Sequence, residues 1–252
     1  MIQYEQPLNE RIRTFLRLEH LFARIHAHLA GDATAATRAA LETLFDIMDI
    51  AGKADLRQEL AKELDRQLTT FRALMASPGV CQDILSQLID DLQTLLTQTT
   101  GDAHAFGHEL KHHELLSAVR QRRAIPGGAC DFDIPEYHLW LSTPAAQRRQ
   151  AIQRWLGGFK PAAQATQLLL RLIRESAAAT PKIAVAGIFQ HALDGNRPYQ
   201  LIQVNVHDND LFPEISGGKH RFAIRFMRLT GSKGQAVPVT DDLPFELNCC
   251  AL

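Results

Sequence analysis

The chain has 252 residues, 46% apolar and 22% charged, a globular composition that excludes a disordered or collagen-like polypeptide. A formal charge of −1 gives no overall basic field for nucleic acid, and no apolar run approaches the roughly 20 residues of a membrane helix. The opening Met1-Ile2-Gln3-Tyr4-Glu5 lacks the basic start and apolar stretch of a secretion signal, and four cysteines, two of them adjacent (Cys249 and Cys250), point to a reducing, cytoplasmic setting rather than a disulfide framework.

In chain order, the first 125 residues read as helices. Ile12, Phe15, Leu16, Phe22, Ile25 and Leu29 form one apolar stripe at helical spacing, with Asn9 as a candidate cap and Gly31-Asp32 as the stop. A second helix is expected near 34–50. The third carries Leu56, Leu60, Leu64, Leu68, Phe71 and Met75, has Glu59, Lys62, Glu63 and Arg66 on its wet face, and stops at Ser77-Pro78-Gly79. A fourth follows with Ile84, Leu85, Leu88, Leu92, Leu95 and Leu96, and a fifth is expected over about 107–123. Such helices with short breaks predict an antiparallel bundle.

Ile125-Pro126-Gly127-Gly128 breaks the pattern, and the alternation over 129–134 predicts a short strand. Pro135 opens a helix or turn through Trp140. Helices are then expected over about 144–156, ending at Gly157-Gly158, and from Pro161 onward. Beyond Pro181 the chain reads as strands: 182–193, a hairpin turn at Asp194-Gly195-Asn196, an alternating 199–206, then 219–229, a loop over 231–234, and a last strand over 243–250. The fold class is therefore α+β. A mainly helical bundle domain spans 8–125, with helices inside 144–178 able to pack on it. An antiparallel β-strand domain with inserted helices spans 126–252, and residues 1–7 are placed to add an edge strand.

Catalytic motifs are sparse. Gly231-Ser232-Lys233-Gly234 lacks the spacing of a phosphate-binding loop and joins two strands, and no G-x-S-x-G elbow occurs. His104, His108 and His112, at i, i+4, i+8 beside His113, would share a helical face and could hold a metal, which keeps a metal-dependent enzyme as an alternative. Asp131, Asp133 and Glu136 form an acidic group too small for a metal or acid/base site. Cys249 and Cys250 would point to opposite faces of a strand and so not bridge.

The two halves of the chain differ in charge: residues 1–115 sum to −6 and residues 116–252 to +5. The most informative segment of the basic half is 219–228. There Phe222, Ile224 and Phe226 turn one way, while Lys219, Arg221, Ala223, Arg225 and Met227 turn the other. Arg221 and Arg225 then lie about 13–14 Å apart on a flat strip, suited to carboxylate partners through paired hydrogen bonds, unless acids of the same chain claim them. Arg120, Arg122 and Arg123 form a second basic group at the end of the fifth helix, where they also suit the helix dipole. A nucleic-acid-binding adaptor is the other alternative, but the phenylalanines of the strip face inward instead of offering stacking platforms.

Several segments occur together in one order: Pro7-Leu8-Asn9-Glu10-Arg11, Leu16-Arg17-Leu18-Glu19, Arg57-Gln58-Glu59-Leu60, Ala118-Val119-Arg120-Gln121-Arg122, Ile125-Pro126-Gly127-Gly128, Ile215-Ser216-Gly217, 221–227, and Phe245-Glu246-Leu247 before Cys249-Cys250. This succession, spanning nearly the whole chain, resembles the ZapD family of FtsZ-associated cell-division proteins of Gram-negative bacteria. The resemblance implies a cytoplasmic homodimer at the division site. It implies no enzyme activity, cofactor, metal, nucleic acid or membrane insertion. It further implies binding to the C-terminal tail of FtsZ, with dimers cross-linking protofilaments and reducing GTPase turnover. The family's basic contact surface maps onto Arg221 and Arg225. Lys53 stands where the family can carry arginine, and it keeps the charge but not the bidentate fork. Lys219 and Arg120 complete the candidate tail-binding set.

Overall fold

A computed structural model describes residues 1–75, 77, 81–101, 105–218, 220–230 and 234–252. The chain divides into two units, one formed by 1–15 with 169–252 and the other by 16–168.

The 16–168 unit is helical, an arrangement that follows from the apolar stripes. Helix α1 spans Glu10–Leu29, α2 Thr34–Ala51, α3 Ala54–Leu74 and α4 Gln82–Thr100. Asn9 caps α1 as expected, its Oδ1 accepting the Ile12 N–H at 2.9 Å. Leu60, Leu64 and Leu68 of α3 are buried, as are Leu85, Leu92 and Leu95 of α4. Glu63, expected on the wet face of α3, is instead fully buried, its carboxylate accepting from Arg66 and, at 2.9 Å, from Gln67. Ser77 follows α3, while the remainder of its expected stop, Pro78 and Gly79, lies outside the described residues.

The expected fifth helix divides. A 3-10 turn covers His108–His112, and α5 runs only from Glu114 to Gln121, with the His113 ring accepting the Leu116 N–H. Gly107, at φ +64° with the Phe159 ring against its Cα, begins the 3-10 turn in a conformation a helix cannot hold. The expected strand over 129–134 is a run of turns: carbonyls of Gly127 and Cys130 accept backbone N–H groups three and four residues on. Helix α6 spans Pro135–Leu141 and α7 Ala145–Leu156. Helix α7 ends at Gly157-Gly158 as expected, and Gly157–Phe159 forms a 3-10 turn that leads into α8, Lys160–Glu175.

The other unit packs two antiparallel sheets. Strand β1 spans Ile2–Pro7, β2 Thr180–Ala184, β3 Ile188–Ala192, β4 Tyr199–Val206, β5 Leu211–Gly217, β6 Arg221–Thr230, β7 Gln235–Pro238 and β8 Leu243–Ala251. The first sheet has the order β1-β4-β8-β2; the second has β3-β6-β5, with β7 also paired to β6. Side chains from both meet in one core of Val204, Phe222, Ile224, Phe226, Phe245 and Leu247, with the Phe226 and Phe245 rings 5.0 Å apart.

Two corrections to the strand reading matter for the site. Residues 182–193 are two strands, because Ala186 and Gly187 both take positive φ (49° and 72°) and turn the chain tightly. Gly187 is needed twice over, since a Cβ there would meet the Val239 carbonyl oxygen at 2.2 Å. Asp194-Gly195-Asn196 does turn the chain but makes no hairpin, because β3 pairs with β6 while β4 pairs with β1 and β8.

A buried polar group ties β1 into this unit. The Arg174 guanidinium donates twice to Glu5, at 2.8 Å each, and Gln203 donates to the same carboxylate at 2.9 Å. Burial alone would push the Glu5 carboxyl up, but hydrogen bonds from Arg174 and Gln203 and the guanidinium charge outweigh it and hold the group below its ordinary value.

Candidate functional site

Strand β6 carries the strip read from the sequence. Phe222, Ile224 and Phe226 are buried, while Arg221 and Arg225 are exposed and Ala223 between them is half-buried. Being flanked by β5 on one side and by β3 and β7 on the other, β6 is held on both edges. The register sets what surrounds the arginines. Arg221 stands opposite Ala192 and Arg225 opposite Ile188 of β3, and on β5 Ala223 faces Ser216 and Arg225 faces Glu214. Around Arg221 and Ala223 these neighbours include alanine and serine, and both guanidinium groups are exposed on this sheet face.

Among the described residues, neither Arg221 nor Arg225 has a side-chain hydrogen bond or ion pair, even though Glu214 lies across from Arg225. Their neighbour Arg228 differs, being paired with Asp208 at 3.1 Å and Asp210 at 3.2 Å. Beside Arg221 an open hollow of about 700 Å³ is lined by Gln190, His191, Ala192, Ser216 and His220. Lys219 lies outside the described residues.

In the helical unit, Arg120 is engaged. It pairs with Asp49, while Arg123 pairs with Glu42 (2.7 Å), Asp46 and Asp49 (3.2 Å), and Arg24 pairs with Asp46 at 2.5 Å. Glu42, Asp46 and Asp49 recur at i, i+4, i+7 on α2, so they share a helix face and gather these three arginines. Arg122 is likewise held by Asp133 at 2.5 Å. Lys53, exposed just before α3, shares a hollow of about 200 Å³ with Arg120 and Lys111. Lys111 was not singled out in the sequence, and its only signal there was its place beside the histidines.

The histidine series does not converge. His104 lies outside the described residues, His108 faces Glu109 at 3.4 Å, His112 ends the 3-10 turn, and His113 caps α5. Among the described residues, no three His, Cys, Asp or Glu side chains are grouped to hold a metal ion. Asp133 serves Arg122, and Asp131 accepts its neighbour's N–H at 3.0 Å. Cys250 is buried, and burial, with the nearby Cys249 and Glu5, pushes its thiol up to about 12. No described helix is long and apolar enough to cross a membrane.

The fold and this surface define a two-unit α+β protein whose sheet unit presents free arginines on an open face. Residues 16–225 match the ZapD family, described as a cell division protein. The cell division protein ZapD of Ralstonia pickettii (strain 12J) is 44% identical over 255 residues, covering 99% of each chain. Those of Ralstonia nicotianae (strain ATCC BAA-1114 / GMI1000) and Chromobacterium violaceum (strain ATCC 12472) are 43% and 37% identical, again over 99% of both chains. The chain belongs to the ZapD family of cell division proteins.

Proposed function

We propose that this protein binds the C-terminal tail of FtsZ through Arg221 and Arg225. As a homodimer in the cytoplasm at the division site, it would cross-link and bundle FtsZ protofilaments, favour Z-ring assembly and lower GTPase turnover, with no chemistry of its own. The observation that carries the reading is the pair of unpaired guanidinium groups fixed on a central strand. Guanidinium groups bind carboxylates bidentately, and a flexible tail offers carboxylates without a preformed surface. A tail loses chain entropy on docking, so each contact is weak. Two sites on one dimer facing a polymer with many tails gain through effective concentration. Lys53 and Lys219 add cationic points to the same attraction, while Arg120 contributes less because Asp49 already neutralises it.

The test is co-sedimentation with FtsZ polymers formed with GTP. The wild-type protein pellets with full-length FtsZ and not with tail-deleted FtsZ, and the Arg221→Glu/Arg225→Glu double variant stays in the supernatant while its circular dichroism and dimer mass are unchanged. Normal co-sedimentation by the folded double variant, or equal bundling of tail-deleted filaments, refutes the assignment.

A further inference from the structure

The arginine sheet has one blunted outer edge and one open one. Backbone bonds fix which groups face out. At the two ends of the β5–β6 pairing, Leu229 N–H donates to the Asp210 carbonyl at 2.9 Å and Gly218 N–H to the Arg221 carbonyl at 3.0 Å, so even-numbered β5 residues bond to β6 and odd-numbered ones face outward. Pro213 is therefore outward, where it has no N–H to offer, and the outward Leu211 carbonyl accepts from the Tyr4 hydroxyl at 3.1 Å.

The β3 edge is built differently. Phe226 N–H donates to the Gly187 carbonyl at 2.9 Å and Leu193 N–H to the His220 carbonyl at 2.8 Å. Both pairs belong to the β3–β6 register, so odd-numbered residues of β3 bond to β6, and Gln190 and Ala192 turn their N–H and C=O groups outward. Among the described residues these outward groups have no backbone partner, and both residues are exposed. Beyond the Val185–Ile188 bridge, β2 parts from β3 and joins the other sheet.

We propose that the acidic peptide docks by strand addition, pairing its backbone with Gln190 and Ala192 along the free edge of β3; this rests on the functional reading above and specifies how its site binds. An added strand lies about 4.8 Å from β3 and hence roughly 9–10 Å from β6. Arg221 reaches it because the residue between, Ala192, is too short to intervene. Arg225 stands behind Ile188, which is 44% exposed and sits beside exposed Val185, so its longer side chain passes over Ile188 to a further carboxylate of the peptide. The matching peptide is extended, with a carboxylate opposite Ala192 and, four residues along the same face, an apolar side chain opposite Ile188. Charge complementarity sets the first contact and backbone pairing the alignment.

The test uses the full-length protein and a synthetic peptide of the FtsZ C-terminal tail. Gln190→Pro places a ring where the N–H already faces outward, so the β3–β6 ladder is kept while strand addition is blocked. Peptide affinity should fall at least tenfold in Gln190→Pro and by less than twofold in Gln190→Thr. In the wild-type protein, hydrogen exchange at the Gln190 and Ala192 amides should slow at least tenfold when peptide is bound, a measurement that decides the matter even if the proline variant does not fold. Unchanged affinity in folded Gln190→Pro, or unchanged exchange at both amides with peptide bound, overturns strand addition; if Arg221→Glu still abolishes binding, the functional reading survives. Failure of the wild-type protein to bind any tail peptide overturns both.

Discussion

Replacing Arg221 and Arg225 singly and together by alanine gives the sharpest quantitative test of the proposed surface. Each guanidinium stands on an exposed sheet face, so a carboxylate pair there remains partly wet. It should be worth more than the about 0.2–1 kcal/mol of an ordinary exposed pair if bidentate, and less than a buried one. Taking about 0.5–1.5 kcal/mol, each single variant weakens binding of one tail peptide by roughly 2- to 12-fold. Four residues separate the two positions on one strand, about 13–14 Å, which exceeds the Debye length of about 8 Å at physiological salt. The two losses should therefore add, with a coupling energy within about 0.5 kcal/mol. At about 10 mM ionic strength the Debye length grows to about 30 Å and the two sites should begin to couple. A dimer engaging two tails feels each per-site loss twice, so the concentration for half-maximal bundling shifts by about the square of the single-site factor. Anisotropy of a labelled tail peptide reads the single-site loss and light scattering of FtsZ with GTP reads the bundling. Singles without effect, or a coupling above about 1 kcal/mol at physiological salt, would show that the two arginines do not act as separate carboxylate grips.

Two further outcomes concern Glu5 and the cysteines. Glu5→Gln removes the carboxylate charge that meets two Arg174 hydrogen bonds in a largely buried setting and should cost about 2–3 kcal/mol, somewhat less than breaking a fully buried pair. Because the native Glu5 carboxyl lies below its unfolded value, its contribution is complete above about pH 5 and is lost as pH falls through the native value. The wild-type melting temperature should thus drop more steeply between pH 5 and 3 than that of Glu5→Gln, and parallel curves would exclude the ion pair as the cause. Cys81 and Cys130 are exposed whereas Cys250 is buried with its thiol pushed up to about 12. Iodoacetamide at pH 8 should therefore modify the first two in the native protein and Cys250 only after unfolding, as peptide mass mapping would read; native labelling of Cys250 would contradict its burial.

The sequence made the arginine strip legible because its signal is local. Period-two alternation of phenylalanine and isoleucine with arginine and alanine over 221–226 fixes both the strand and its two faces. The helices of the bundle were legible for the same reason, as was the Asn9 cap. What escaped was non-local. Arg120 and Arg123 looked like a basic cluster at a helix end, yet their partners on α2 lie 71 to 81 residues earlier, a distance no local pattern spans. Glu63 looked solvated because its i+3 neighbour is basic, but Glu63 is fully buried while Arg66 stays partly exposed and reaches in to its carboxylate. The turn at Ala186-Gly187 was hidden inside an apolar run, so β3, with its open edge, was merged with β2. The histidine spacing would suit a metal only on a continuous helix, and Gly107 with the 3-10 turn removes that condition.

The contrast between the two arginine groups carries the argument one step further. A cation becomes a binding group only if its own chain leaves it unneutralised and if the scaffold fixes where it stands. In the helical unit, α2 supplies acids at helical spacing, and each of Arg24, Arg120 and Arg123 finds one. On β6 Arg221 and Arg225 are free, because the positions across from Arg221 and Ala223 are alanine, glutamine and serine, and the one acid in the register, Glu214, does not close on Arg225. Position is fixed by the other face: burying Phe222, Ile224 and Phe226 in the core sets the pleat, and a one-residue slip would turn Arg221 and Arg225 inward. Core packing and partner recognition are therefore encoded in the same ten residues. For that reason Ile224→Ala, although its side chain touches no partner, should weaken tail binding through loss of strand rigidity and not through loss of charge, leaving the salt dependence of binding unchanged.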